Sequence, residues 1–322
     1  MLLTLPLILF IVMAELSVGA FSVLFVLDWR NEVKRSFLIT YALIYLVLTG
    51  LTYLFQQGFS SPELLNTYAQ LDKGWTGYLS LPLLLFLLLM LPYNLFLWLD
   101  RNAGVGGREK EEVQVSRLRL LRLISGGLVA LAGLATLFVL AMIYRPLAAA
   151  NLGGVFTVAS FFAAALALGG VMTAMWLGHW YLVTPALSER PLLFATTLVL
   201  LGVLIQIVLA FSTGPGIIPA RASQSVTPSV TATATTTVPA ATTTVHATTK
   251  PPNVPVVTPL STGALGWLRI LLGFILPLVL GGLAWKLVRD RSFQSATGML
   301  YLVVVCALAG EAMARGLFLM GL

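Results

Sequence analysis

The sequence has little charge, one cysteine and two histidines among its 322 residues. Only 10% of the residues are charged, whereas soluble domains carry about a quarter, so this chain cannot cover itself with a water-facing surface. A single cysteine, Cys306, excludes an internal disulfide and an iron–sulfur cluster ligated by this chain alone. His179 is the only histidine in an apolar run, which argues against an intrinsic haem with two histidine ligands.

Hydrophobic residues make up 58% of the chain and gather in eight long runs. Each run is about 20 residues or longer, enough as a helix to cross a hydrocarbon core of roughly 30 Å. The runs lack the alternating pattern of membrane β-strands, so we predict an all-α polytopic bundle of about eight transmembrane helices in the cell (cytoplasmic) membrane. The predicted spans are residues 3–27, 37–55, 77–99, 123–143, 155–182, 191–212, 264–288 and 297–320.

Lysine and arginine concentrate in alternate loops, those after the first, third, fifth and seventh runs. Because basic loops stay in the cytoplasm, this asymmetry predicts that both termini lie outside, an N-out/C-out topology. The same placement accounts for the net charge of +7, and we predict no nucleic-acid partner. Residues 117–122 interleave arginine with leucine, which predicts a helix lying at the membrane interface before the fourth span.

The composition changes abruptly between residues 213 and 262 to threonine, alanine, valine and proline. Such a segment cannot bury enough apolar surface to offset its chain entropy, so we predict a disordered external linker. The chain then divides into residues 1–212 with six helices, the linker 213–262, and residues 263–322 with two helices.

Glu15 lies near the middle of the first predicted span, with no basic residue one turn away in that helix. An ionised group inside a membrane costs several kcal/mol unless it is paired or hydrated, so Glu15 needs a partner from another helix or carries a proton. Desolvation disfavours the charged form, which would suit proton uptake from a quinol. A protonated carboxyl that only hydrogen-bonds a neighbouring helix is an equally open interpretation.

Three further residues are candidates. Glu311 and Arg315 lie four positions apart in the last span, so they can form an ion pair on one helix face. That pair could contact a ligand, or could only make arginine tolerable in lipid. His179 ends the fifth span among Trp176 and Trp180, at the depth of an interfacial aromatic belt; it could bind a quinone oxygen or only close the helix end.

Two stretches of the chain resemble the membrane-anchor subunits of dimethyl-sulfoxide-reductase-type enzymes. They are the N-terminal PLILFIVMAELSVGAF and the C-terminal GEAMARGLF, and the second also resembles the related polysulfide-reductase-type anchors. The residues that carry the resemblance are Pro6, Leu7, Phe10, Gly19, Phe21, Gly310, Glu311, Arg315 and Phe318. At the position of Glu15 the family has an uncharged glutamine.

The resemblance implies an eight-span anchor with both ends outside, which binds quinol or menaquinol and passes two electrons to a docked iron–sulfur subunit. That subunit would feed a separate molybdopterin catalytic subunit, and the anchor would hold no haem or metal. Glu15, Glu311, Arg315 and His179 are the groups available for quinol binding and proton transfer. The loop charges place His179 towards the cytoplasm and Arg315 nearer the outside, so we expect the site at Glu15 with the Glu311/Arg315 face. A proton-coupled secondary transporter that uses Glu15, or a non-catalytic membrane scaffold, are the alternative functions.

Overall fold

The computed structural model describes residues 5–100, 117–148, 154–184, 188–212 and 262–319. Within these ranges the chain forms helices and no strand, and eight helices are long and apolar enough to cross a membrane. The predicted all-α bundle of eight spans is therefore confirmed, and the chain is a multi-pass integral membrane protein. Residues 213–261 of the predicted linker lie outside the described residues, and the N-out/C-out orientation stays a prediction.

Eleven helices, together with one 3₁₀ turn and one π-helical turn, make up the eight spans and one loop of the described ranges. In chain order they are α1 (Leu5–Arg30), α2 (Arg35–Phe59), α3 (Pro62–Leu65), α4 (Lys73–Thr76), α5 (Ser80–Leu99), α6 (Arg117–Tyr144), the 3₁₀ turn Arg145–Ala148, α7 (Val155–Val183), α8 (Arg190–Ser212), α9 (Thr262–Arg269), the π-helical turn Ile270–Ile275, α10 (Leu276–Arg289) and α11 (Phe293–Phe318). The seventh span comprises α9, the π-helical turn and α10.

α1 is the central helix of the bundle. In its most apolar stretch of 18 residues, 83% of the residues are buried, whereas the corresponding stretches of the other spans are between 22% and 56% buried. It packs against α2, α6, α7 and α11, so its polar side chains face protein instead of lipid. Glu15, Ser17 and Asp28 on α1 are all buried for this reason.

α1 and α7 approach each other closely through glycine. A Cβ atom on Gly19 would lie 1.8 Å from the carbonyl oxygen of Ala165, and one on Gly169 would lie 2.1 Å from the carbonyl carbon of Gly19. Only small residues allow helix backbones to come this near, and the dense contact fixes α7 against the central helix. This contact fixes the positions of the polar residues of α1 relative to those of α7.

The prediction that residues 117–122 form a helix is confirmed, and their position at the membrane interface stays a prediction. These residues are the first turns of α6, and the side chain of Arg122 is 1% exposed. Its guanidinium forms ion pairs with Asp28 at the end of α1 and with Asp100 just after α5. Because both acidic partners are buried, Arg122 is held inside the bundle, whereas its neighbours Leu120 and Leu121 are exposed.

Candidate functional site

Three buried charged side chains from the first and last helices meet in the half of the bundle where α1 begins and α11 ends. We call Glu15, Glu311 and Arg315 the Glu15 cluster; their exposures are 0%, 7% and 4%. The Arg315 Nη2 pairs with Glu15 Oε1, and its Nε lies 2.9 Å from Glu311 Oε1. The ion pair expected within α11 is therefore present, and Arg315 is also the basic partner that Glu15 lacks in its own helix.

Further contacts from α7 and α8 fix the Glu15 cluster. Ser160 accepts hydrogen bonds from Arg315, through its Oγ at 3.5 Å and its carbonyl oxygen at 3.4 Å. The Arg315 Cζ lies 3.9 Å from the ring centroid of Phe161, a cation–π contact. Gln206 Nε2 donates to Glu311 Oε2 at 2.9 Å, so four helices hold the cluster together.

The Glu15 cluster sets two carboxyl groups against one guanidinium. The Arg315 guanidinium lies between the carboxyl groups of Glu15 and Glu311. Arg269 in the seventh span is half-buried, and its charge interacts with Glu311 and Arg315. Glu15 Oε2 is buried and has no hydrogen-bond partner among the described residues. Two carboxyl groups that share one arginine can exchange a proton as a coupled pair, and the free oxygen can accept a hydrogen bond from a ligand.

The helix facing Glu311 is irregular. The π-helical turn Ile270–Ile275 brings Gly273 against Gly310, where an added Cβ on Gly310 would lie 2.3 Å from the Cα of Gly273. Pro277 follows at the start of α10, where its missing N–H interrupts the regular helical hydrogen bonds. Single π-turns of this kind occur frequently at functional sites.

His179 lies apart from the Glu15 cluster. It is exposed near the end of α7, and its Nδ1 is 3.4 Å from the hydroxyl of Tyr301. Because 19 positions of one helix separate it from Ser160, the two are about 28 Å apart along the axis. Of the four candidates, the structure thus brings three together and leaves His179 at the other end of the bundle.

A second buried cluster was not found by sequence reasoning. Arg122 lies between Asp28, at 3.2 Å, and Asp100, at 2.6 Å, and all three are buried; we call them the Asp28 cluster. The Tyr93 hydroxyl also donates to Asp28 Oδ2 at 3.1 Å. The only sequence signal for it is that Asp28 and Asp100 directly follow the first and third apolar runs. The positive-inside rule, which predicts orientation from these loops, counts only their basic residues.

The described residues contain no group of three or more histidine, cysteine, aspartate or glutamate side chains that could hold a metal ion. A scan against protein families, a search of curated proteins and a search of solved structures each find no match to this chain.

Proposed function

We propose that this chain is the membrane-anchor subunit of a molybdopterin-type oxidoreductase, which binds quinol at the Glu15 cluster and passes its electrons to a docked iron–sulfur subunit. One observation carries the proposal. The two stretches that resemble anchor subunits lie at opposite ends of the chain, yet Glu15 of the first pairs with Arg315 of the second. This contact supports a common role for the two stretches.

Quinol oxidation requires proton acceptors at the binding site. A quinol loses two electrons and two protons when it becomes a quinone, and the protons need acceptors in a water-poor environment. Glu15 and Glu311 are two carboxyl groups held by one arginine, and the unpartnered Glu15 Oε2 can accept a hydrogen bond from a quinol hydroxyl. The electrons leave one at a time to an iron–sulfur cluster of the partner subunit.

The roles of the residues follow from their contacts. Glu15 binds the quinol hydroxyl and takes its proton, and Glu311 takes the second. Arg315 contacts both carboxyl groups and keeps them in place. Phe161 stacks against Arg315 and helps to hold the guanidinium in place.

Purification of the tagged chain from membranes of its own host tests the proposal. We expect the gently solubilised complex to contain iron and molybdenum by elemental analysis, and to reduce its iron–sulfur centres when menaquinol is added, seen by electron paramagnetic resonance. A chain that copurifies without iron and shows no binding of a quinone analogue would overturn the proposal.

The irregular seventh span favours a second candidate, a proton-coupled secondary transporter. Transporter sites often form where a helix is interrupted, and the π-helical turn Ile270–Ile275 lies against α11 next to Glu311. Solute uptake into liposomes that depends on a proton gradient and is lost in Glu15→Gln would favour transport over quinol binding. Unchanged activity of the complex after Glu15→Gln and Arg315→Leu would instead favour a non-catalytic scaffold.

A further inference from the structure

One face of α2 carries a row of polar side chains through the apolar interior. Its members share a spacing of three or four positions, so they lie on one side of the helix. We call them the α2 polar row: Tyr41, Tyr45, Thr49, Thr52 and Gln56. All five are 4% exposed or less, and the row faces protein instead of lipid.

The α2 polar row extends across most of the thickness of a membrane's hydrocarbon core. From Tyr41 to Gln56 it covers 15 positions, or about 22 Å of helix, which is most of a hydrocarbon core of roughly 30 Å. Neighbouring members are about 4.5 to 6 Å apart along the axis. One water molecule that makes two hydrogen bonds of about 2.8 Å spans about 5.6 Å, which is close to this spacing.

Thr49 gives independent evidence for water in the row. Its side chain is fully buried at the middle of the row, and its Oγ1 has no hydrogen-bond partner among the described residues. A buried hydroxyl without a partner costs free energy, and valine would fill the same space without that cost. Buried waters are the usual partners of such groups.

Hydrogen-bonding groups on other helices extend the row sideways. Thr52 Oγ1 lies 3.0 Å from Ser17 Oγ on α1, two positions from Glu15. The Tyr45 hydroxyl lies 3.2 Å from Thr173 Oγ1 on α7. The row therefore has hydroxyl groups on both sides of its axis and passes close to the level of the Glu15 cluster.

Both ends of the row reach exposed polar groups. At one end Gln56 Nε2 donates to Ser80 Oγ at 3.0 Å, and the exposed Gln57 donates to Gln56 Oε1 at 2.7 Å. At the other end the Tyr41 ring packs against Trp176 of α7, with 5.1 Å between ring centroids. The exposed His179, three positions further along α7, lies 3.4 Å from the Tyr301 hydroxyl. Exposed polar groups thus lie at both ends of the row, where a proton would enter and leave.

We infer that the α2 polar row holds a file of water molecules and conducts protons between the two ends of the bundle. Protons move along such a file by exchange between neighbouring hydrogen bonds, without any redox step. The row has no fixed charge of its own, and a metal cation would have to lose its hydration shell to enter it. This activity is separate from quinol oxidation and stands or falls independently of it.

Proton flux into liposomes that contain the purified full-length chain tests this inference. A potassium gradient with valinomycin sets the membrane potential, and a trapped pH dye reports proton entry in the absence of any quinone. We expect faster acidification than in protein-free liposomes. A sodium dye under the same conditions should report no influx above that of protein-free liposomes.

Substitutions at Thr49 sharpen the test. Thr49→Val should lower the flux by about tenfold or more, because the file is broken where the water loses its partner, whereas Thr49→Ser should retain it. Thr196→Val is the matched control, since Thr196 is equally buried but lies on α8 and bonds Leu192 O of its own helix. A wild-type flux equal to that of protein-free liposomes, or an undiminished flux in Thr49→Val, would overturn the inference.

Discussion

Arg315 forms ion pairs with two buried carboxyl groups at once, so its removal should lower the stability of the fold strongly. Its guanidinium has fixed planar geometry, so it can reach Glu15 on one helix and Glu311 on its own. An ion pair of this kind adds little stability when it is complete. A carboxylate left behind without its partner is strongly destabilising.

We therefore expect Arg315→Leu to lower the free energy of unfolding by about 3–5 kcal/mol, measured by reversible denaturation in mixed micelles. Replacing both acids as well, in Glu15→Gln/Glu311→Gln/Arg315→Leu, should restore much of the loss because no uncompensated charge remains. Arg291→Leu is the control: that arginine pairs with Glu189 at 2.6 Å but is 64% exposed, and its loss should have little effect. Equal effects of the two single substitutions would contradict the assignment.

The Asp28 cluster allows a milder test at a single hydroxyl. Tyr93→Phe removes the hydrogen bond to Asp28 and leaves the ring packing intact, including the contact with Phe21 at 5.2 Å between ring centroids. Loss of a hydrogen bond to a charged group should cost about 1.5–3 kcal/mol of unfolding free energy. Tyr78→Phe, at a 63% exposed position, should cost almost nothing in the same assay. Indistinguishable unfolding curves would show that this bond contributes nothing.

At the scale of helices, the contact between α1 and α7 depends on two glycines. Gly19→Ala would place a Cβ within 1.8 Å of the Ala165 carbonyl oxygen, which the rigid helices cannot relieve without separating. We expect a marked fall in the thermal unfolding temperature and in expression level. Gly298→Ala is the matched control, because nothing lies within 4 Å of an added Cβ there and alanine favours the helix. A Gly19→Ala chain as stable as wild type would contradict the packing.

The helices themselves could be predicted from the apolar runs, but their ends could not. The run 37–55 belongs to a helix that spans Arg35–Phe59, because polar residues such as Gln56 are buried by neighbours and continue the helix beyond the apolar segment. The π-helical turn at Ile270–Ile275 had only Pro277 as a sequence signal. Proline indicates an interruption without giving its hydrogen-bond pattern.

The composition of the Glu15 cluster could be predicted only in part. The four-residue spacing of Glu311 and Arg315 predicts their pair. The resemblance at the two ends and the loop charges favour a site that combines Glu15 with the Glu311/Arg315 face. The direct pairing of Glu15 with Arg315, 300 positions away, has no local pattern that indicates it. Ser160 and Phe161 were not predicted for the same reason, since their role depends on the close contact of α7 with α1.

At the scale of the whole molecule, the described residues form two buried clusters of the same type, each with one arginine between two carboxyl groups. Both include a residue of the central helix, and 13 positions separate Glu15 from Asp28, or about 20 Å. The Glu15 cluster lies in the half where the chain begins, and the Asp28 cluster near the opposite end of α1. Which of them faces the cytoplasm depends on the orientation of the bundle.

Labelling of single cysteines tests the N-out/C-out orientation. In a Cys306→Ala background, Thr67→Cys lies in the exposed loop before α4, and Arg291→Cys lies in the exposed turn between α10 and α11. We expect a membrane-impermeant maleimide to label residue 67 in intact cells, and residue 291 only after the membrane is permeabilised. The reverse pattern would place both termini in the cytoplasm.

The measurement that tests the central claim most directly is the affinity of the purified chain for a quinol analogue, followed by fluorescence quenching. We expect saturable binding that Glu15→Leu weakens by about tenfold or more through loss of a hydrogen bond to a charged group, and that Glu15→Gln weakens less because an acceptor oxygen remains. His179→Ala should bind as wild type does. Absence of binding to the wild-type chain, or equal affinity in Glu15→Leu, would contradict a quinol site at the Glu15 cluster.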